Sequence, residues 1–279
     1  MTDLNLKKLI ICADDFGISP GVNRAILNLI NSRKLNATSC MTCMPHWLDD
    51  FPKLIPYVNQ IQLGLHLTLT DQNCMTTMPN LAPERQLPTT IKLLRLAISN
   101  SLNYNEILSE LQKQYDAFCS AVGKPPDFVD GHHHVHQFPI IRNAVIELLK
   151  KNKISKFPWI RICWEPPLRL FPRRESIGKA LSIGFFGIAL KRLAIDHGIP
   201  YNNGFTGVYD YRRKLMSKNL MERLLYRAVD GTVLFCHPGF SDTELSNVDK
   251  LTDAREIEYE FFQSSEFQNI LTHYGFSLF

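Results

Sequence analysis

Short apolar runs along this chain are each followed by a longer stretch with the apolar spacing of a helix. Residues 9–13 form a continuous apolar run, which is typical of a buried strand, and residues 21–32 carry apolar side chains at helical spacing. Ser19 and Pro20 provide the start of that helix, since serine caps a helix N-terminus and proline suits its first turn. The first strand, loop and helix are therefore predicted to form one βα unit.

The same alternation continues to the end of the chain. Further strands are predicted at residues 36–44, 60–69, 128–131, 159–163, 232–236 and 275–279. Further helices are predicted at residues 91–99, 104–122, 140–150 and 178–197, and a C-terminal helix is predicted to begin within 256–263. No linker or internal repeat interrupts the pattern, so we expect parallel βα units in a single domain over residues 1–279.

Length and composition narrow the class of protein. A chain of 279 residues fits either two domains or one large α/β barrel, and 45% hydrophobic with 21% charged residues is typical of a globular protein. The 31 Lys and Arg residues exceed the 27 Asp and Glu residues by only four. This excess gives little electrostatic reason to expect nucleic acid as a partner.

The N-terminus and the cysteines bear on where the protein works. The apolar run after Lys7 and Lys8 is too short for a secretory signal, and the longest strongly apolar stretch, 180–190, is shorter than the ~18 residues that span a bilayer. The seven cysteines lie mostly in apolar runs. We therefore expect a soluble, cytoplasmic chain with reduced thiols.

Four polar clusters follow four of the predicted strands. They are Asp14–Asp15, His66, the histidine-rich run from His132 to His136, and His237. Since the carboxyl ends of parallel strands share one rim of an α/β fold, we expect these clusters to lie together. Two histidines and one carboxylate are usual ligands of a hydrolytic divalent ion. A second carboxylate can take a proton from water, and a further histidine can protonate a leaving amine.

Each cluster also has a purely structural interpretation. Asp14–Asp15 could cap the following helix, although it lies several residues before Ser19. His66, alone in an apolar run, resembles a core histidine. The four imidazoles in residues 132–136 are harder to explain in this way, because burying them together without a metal or a partner is costly.

A CxxC spacing offers a competing metal or redox site. Cys40 and Cys43 are followed by His46, as in some zinc sites. The chain has no second pair of ligands at such spacing, and the two cysteines fall in a predicted strand. This alternative is therefore disfavoured.

Four segments of the chain resemble the YdjC-like family of carbohydrate deacetylases, which includes chitooligosaccharide deacetylases and the hopanoid-biosynthesis relatives called HpnK. The matching segments are ADDFGISPGVN at 13–23, GLHLTLT at 64–70, DGHHHVHQFP at 130–139 and CHPGF at 236–240. Residues 159–167 and 203–207 look more like the HpnK branch. The resemblance implies a (β/α) barrel, TIM-barrel-like and related to polysaccharide deacetylases. It also implies one divalent cation and removal of the N-acetyl group of an amino sugar with release of acetate.

Carried over by position, the resemblance implies a role for each residue of the site. The metal ligands would be Asp15, His66 and His132, with Asp14 as general base and His237 as general acid. Such ligands suit Zn²⁺, Co²⁺, Ni²⁺ or Mn²⁺ better than Mg²⁺, although Mg²⁺ is commonly assigned in this family. Arg161 is predicted to hold a sugar hydroxyl or a phosphate, with a surface ion pair as the alternative, and His136 is a second predicted substrate contact.

Two other functions remain open from the sequence. A metal-dependent phosphoesterase would need more bridging carboxylates than the sequence offers. A non-catalytic sugar- or metal-binding protein could keep the ligands but would have no need for Asp14 or His237.

The stretch 178–193 bears on the acceptor of the reaction. It is unusually apolar and is flanked or interrupted by basic residues, namely Arg173, Arg174, Lys179, Lys191 and Arg192. It is either a core helix or a lid that touches a membrane and admits the tail of a lipid-linked amino sugar. The second hypothesis predicts that aspartate at Phe185 or Phe186 weakens turnover of a glycolipid. An N-acetylated sugar or glycolipid substrate, a peripheral membrane contact and a homodimer are the candidate interactions.

Overall fold

Eight parallel strands form one sheet in the computed structural model, which describes residues 6–153, 155–211 and 215–279. The strands are β1 (Lys7–Phe16), β2 (Ala37–Cys40), β3 (Gln62–Leu67), β4 (Phe128–Gly131), β5 (Trp159–Ile160), β6 (Gly204–Thr206), β7 (Thr232–Cys236) and β8 (Phe276–Ser277). Their order is β5-β4-β3-β2-β1-β7-β6, and β8 pairs with the start of β1.

The two ends of this order come together. Ile160 of β5 forms a parallel bridge with Tyr201, just before β6, and its N–H donates to the Pro200 carbonyl at 2.9 Å. Asn202 adds two hydrogen bonds to the backbone of Ile162, at 2.7 and 3.1 Å. The expected parallel α/β barrel is therefore confirmed.

Eleven α-helices of the described residues join and cover the strands. They are α1 (Pro20–Asn31), α2 (His46–Asp50), α3 (Thr90–Ile98), α4 (Tyr104–Val122), α5 (Ile141–Lys151), α6 (Pro167–Arg173), α7 (Ile177–Asp196), α8 (Lys218–Leu225), α9 (Thr243–Val248), α10 (Asp253–Gln263) and α11 (Ser265–Tyr274). Ser19 caps α1 as predicted, accepting from the Val22 N–H at 3.3 Å. None of the described helices is both long and apolar enough to cross a membrane.

Several predicted boundaries differ from the structure. The strand predicted at 159–163 contains only Trp159–Ile160, because the Cys163 N–H donates to the Gln137 side chain at 2.9 Å. The strand predicted at 36–44 ends at Cys40. Helix α6 escapes prediction because Pro166, Pro167 and Pro172 disrupt its pattern. The C-terminal helical region is two helices, α10 and α11, separated at Ser264.

The interior of the sheet consists of fully buried apolar side chains. Leu9 and Ile11 of β1, Leu63 and Leu65 of β3 and Val129 of β4 all belong to the main core. This core fixes the strands tightly, so that the polar residues at their carboxyl ends are held in defined positions.

Candidate metal and catalytic site

Three side chains from three strand ends meet in a buried cluster. Asp15 Oδ1 lies 3.0 Å from His132 Nδ1 and 3.4 Å from His66 Nε2, and one ligand atom of each residue lies within 4.8 Å of the others. Asp15 has a left-handed backbone with φ of 69°, at a point where the pairing of β1 with β2 is irregular. An aspartate in this strained conformation at a strand end is typical of a functional site. The donor set of one carboxylate and two imidazoles fits a divalent transition metal.

Asp130 orients the imidazole of His66. Its Oδ1 lies 2.7 Å from His66 Nδ1, which leaves Nε2 directed toward Asp15. Ser39 Oγ donates a short hydrogen bond to the same carboxylate. Burial opposes protonation, but Asp130 and Asp15 outweigh it and raise the pKa of His66 to about 10, so this pocket stabilises positive charge. Carboxylate–histidine pairs of this kind fix the ligand tautomer in many metal sites.

Arg255 of α10 holds the carboxylate of Asp15 from the other side. Its Nη2 lies 2.6 Å from Asp15 Oδ2 and 2.5 Å from an oxygen of Asp249. Burial raises the pKa of Asp15, but Arg255 and His132 more than compensate and hold it well below its usual range. Asp15 is therefore ionised and available as a ligand at neutral pH.

The predicted general base is held by a buried arginine. Arg161 donates to both carboxylate oxygens of Asp14, at 2.6 and 2.7 Å, and its Nη2 lies 2.6 Å from Asp130. The Arg161 side chain has no exposed surface, so it is neither a surface ion pair nor accessible to a sugar. The predicted substrate contact is thus corrected: Arg161 positions Asp14 and neutralises two buried carboxylates.

The prediction that His136 contacts the substrate is likewise corrected. It is fully buried, and its Nε2–H donates to the carbonyl of Arg161 at 2.8 Å. Burial lowers the pKa of His136 to about 4, which keeps the ring neutral. His136 therefore supports the backbone at Arg161, and no part of it is accessible to a substrate.

The four histidines of residues 132–136 point in four directions. His133 Nδ1 lies 2.8 Å from Thr90 Oγ1, and His134 Nδ1 lies 3.5 Å from the Cys163 sulfur. Both residues have left-handed φ values near 55°. Of the four, only His132 joins the cluster with Asp15, and the other three contact protein groups instead.

The predicted general acid, His237, follows β7 and is fixed through its backbone. Its N–H donates to Glu258 Oε2 at 2.5 Å, and the Tyr209 hydroxyl donates to Glu258 Oε1 at 2.6 Å. The ring of Tyr211 lies 5.3 Å from that of His237, edge to face. Burial lowers the pKa of His237 to about 4, so its ring is neutral in the resting protein. Nothing in the sequence marks Glu258 as part of the site, because a glutamate on an amphipathic helix is normally solvated.

A second group of candidate ligands already contacts a positively charged side chain, that of Arg161. Cys12, Asp14 and Asp130 offer ligand atoms within 4.8 Å of one another. The Arg161 guanidinium contacts both of these carboxylates. Burial also keeps the pKa of Cys12 well above its usual value, so its thiol stays protonated. This group is therefore a poor second metal site.

The surroundings of Cys40 and Cys43, the two cysteines of the CxxC spacing, differ from those of a zinc or redox site. Burial raises the pKa of Cys43 to about 12 and that of Cys40 well above its usual value. Both thiols are therefore protonated, whereas a redox nucleophile is a thiolate. Neither cysteine belongs to a group of metal-ligating side chains among the described residues. All seven cysteines are unpaired in the structure.

Comparison with known proteins agrees with this fold. The chain is 27% identical over 239 residues to a chitooligosaccharide deacetylase of Yersinia pestis (strain Pestoides F), covering 86% of this chain and 84% of the relative. It superimposes on a candidate cellobiose-phosphate cleavage protein of Enterococcus faecalis V583 with a TM-score of 0.75, at 20% identity and coverages of 99% and 97%. A peptidoglycan N-acetylglucosamine deacetylase matches with a TM-score of 0.50, at 11% identity and coverages of 97% and 84%. At these identities the two solved structures show a shared fold.

A family model also matches most of the chain. The model of the YdjC-like proteins matches residues 8–273, and this range includes every residue of the cluster around Asp15 and Asp14. The chain therefore belongs to the YdjC-like protein family.

Proposed function

We propose that this protein is a metal-dependent carbohydrate deacetylase, which hydrolyses the N-acetyl group of an amino sugar and releases acetate. The observation that carries the proposal is the buried Asp15–His66–His132 cluster, with the arginine-bound carboxylate of Asp14 next to it in the chain. The deacetylase name of the Yersinia relative supports the same chemistry.

Asp15, His66 and His132 would hold the divalent ion. Such an ion, when bound, polarises the acetamide carbonyl and lowers the pKa of a water molecule. The hydrogen bond from His66 Nδ1 to Asp130 leaves Nε2 as the ligand atom. We favour zinc, cobalt, nickel or manganese over magnesium, because nitrogen donors make up two thirds of the ligands.

Asp14 acts as the general base. Two hydrogen bonds from Arg161 fix the plane of its carboxylate, so it meets the attacking water in one orientation. Asp14 takes a proton from that water, and the oxygen of the water forms a bond to the acetyl carbon.

His237 acts on the leaving nitrogen. The carbon–nitrogen bond breaks, the nitrogen takes up a proton, and the products are acetate and a free amine. Since His237 is neutral in the resting protein, the proton that it donates must be acquired during turnover. Glu258 holds the backbone at His237 and so determines where this ring lies.

The two other candidate functions have less support. A phosphoesterase with paired ions would need a second metal site, and the Arg161 guanidinium already neutralises the carboxylates nearest to the first. A non-catalytic binding protein would not need a buried arginine to orient Asp14.

Acetate release tests the proposal. Metal-loaded protein is incubated with N-acetylglucosamine, with chitobiose and with an N-acetylglucosaminyl lipid, which also separates an oligosaccharide from a glycolipid substrate. Asp14→Asn should keep its metal and lose about 10²–10⁴-fold in turnover. Asp116→Asn, which changes an exposed aspartate of α4, is the matched control. Release of acetate from none of the three compounds would refute the proposal, and loss of metal from Asp14→Asn would make Asp14 a ligand.

A further inference from the structure

Large exposed apolar side chains are concentrated in one short segment. Of the fourteen in the described residues, five lie in residues 167–196, about a tenth of the chain. We call them the α6–α7 face; they are Leu168, Phe171, Leu181, Phe185 and Ile195. Leu168 and Phe185 are the most exposed, at 76% and 70%. Isolated exposed apolar residues need no explanation, but a concentration of them marks an interaction site.

The members of this face that belong to α7 lie on one side of that helix. Leu181 and Phe185 are four residues apart on α7, and Ile195 follows at a spacing that returns to the same helix face. The opposite sides of α6 and α7 pack into one small apolar cluster, through Leu170 and Ala180 respectively. Since the two helices bury their inner sides in the same cluster, their outer sides form one surface.

The charges around this face are mainly positive. The exposed charged residues of 167–196 are Arg174, Lys179 and Arg192, against the single acid Asp196. Arg192 lies seven residues after Phe185, two helical turns along the same face. Exposed aromatic and aliphatic side chains with basic neighbours are typical of helices that lie in the interface of an anionic bilayer.

The face also adjoins the candidate site. A Cβ on Gly187 of α7 would meet the Cys163 carbonyl at 3.4 Å, so the helix backbone packs closely on this loop. The Cys163 sulfur in turn lies 3.5 Å from Nδ1 of His134, two residues after His132. Phe186, beside Phe185, packs inward on Phe138 with ring centroids 5.3 Å apart. A surface bound to the α6–α7 face would therefore be separated from the loop at Cys163 by the thickness of α7, about 10 Å.

We propose that the α6–α7 face docks this protein peripherally on an anionic lipid bilayer. The exposed apolar residues enter the interface, and Arg174 and Arg192 contact the lipid headgroups. Delivery of a membrane-borne substrate to the site is a consequence that rests on the proposed function. The docking itself does not depend on it.

Vesicle sedimentation of the full-length protein tests this proposal. Binding is measured to vesicles of phosphatidylcholine alone and to vesicles that also contain phosphatidylglycerol, at low and high salt. We expect binding to the anionic vesicles, weakened at least about tenfold by Phe171→Ser with Phe185→Ser, since each phenylalanine buries a large apolar area. Arg192→Gln should weaken binding to anionic vesicles at low salt and have a smaller effect at high salt.

Matched controls separate docking from a general effect of surface apolarity. Ile91→Ser with Ile98→Ser removes two comparably exposed residues of α3 and should bind as the unaltered protein does. All variants should keep the circular dichroism spectrum and the acetate release from chitobiose, so failed docking is distinguishable from a failed deacetylase assignment. Equal vesicle binding by the α6–α7 variant and the unaltered protein would overturn the proposal. The proposal would also be overturned if the unaltered protein bound no vesicles and formed a dimer that the Phe171→Ser with Phe185→Ser variant does not form. The face would then bind a second copy of the chain.

Discussion

The guanidinium of Arg161 is bound to both oxygens of the Asp14 carboxylate, at 2.6 and 2.7 Å, in the interior of the barrel. Two parallel hydrogen bonds define the orientation of a carboxylate far more sharply than one. Burial opposes the charge on Arg161, but Asp130 and Asp14 outweigh it and keep the pKa of the guanidinium well above its usual value. The Arg161 guanidinium is therefore charged at neutral pH.

Arg161→Lys should lower turnover without removing the metal. Lysine keeps the positive charge but cannot bind both oxygens of Asp14 in one plane, so the base loses its fixed orientation. We expect kcat to fall about tenfold to a hundredfold, with little change in KM and unchanged metal content by atomic absorption. Arg169→Lys is the matched control, because it alters another buried arginine, one that contacts Glu165 and the carbonyls of Leu224 and Tyr226. Equal kcat in the two variants would show that the geometry of the pair does not matter.

His66→Ala and His132→Ala should each abolish stoichiometric binding of a divalent metal. Each substitution removes one of three ligands and leaves the Asp15 carboxylate with one neighbouring imidazole instead of two. A chelator should abolish acetate release by the unaltered protein, and added metal should restore it. His46→Ala removes a partly exposed histidine that pairs with Glu244 and should bind metal normally. Full metal content in both ligand variants would refute the assignment.

Much of this site could be predicted because the residues follow strands. Asp14, Asp15, His66 and His237 each come at the carboxyl end of an apolar run, and parallel strands bring such ends to one rim. The fold was predictable for the same reason. Where the strands are only two residues long, as in β5, the apolar run continues past the last paired residue and the boundary is lost.

The residues that support the site could not be predicted in this way. Arg255 and Glu258 lie on α10, more than 200 residues from Asp15 in the chain, and no local pattern links them to it. Arg161 is an isolated arginine after a short strand, and most arginines are exposed. Only the packing of α10 and of β5 against the strand ends reveals that these charges are buried and paired.

Glu258 should make the stability of the fold depend on pH in a way that glutamine at this position does not. Burial raises the pKa of Glu258 to about 7, although Tyr209 and the His237 N–H oppose the shift. The folded protein thus binds this proton more tightly than the unfolded chain, whose glutamate titrates near 4.5. Its contribution to stability, about 3 kcal/mol, is full below pH 4.5 and is lost as the pH rises to 7.

The free energy of unfolding in urea, measured from pH 4 to 8 with a chelator present, should therefore fall relative to Glu258→Gln by about this amount. Glu260→Gln, an exposed site on the same helix, should track the unaltered protein within about 0.5 kcal/mol. A difference between the unaltered protein and Glu258→Gln that stays constant across this range would mean that the fold does not raise the pKa of Glu258.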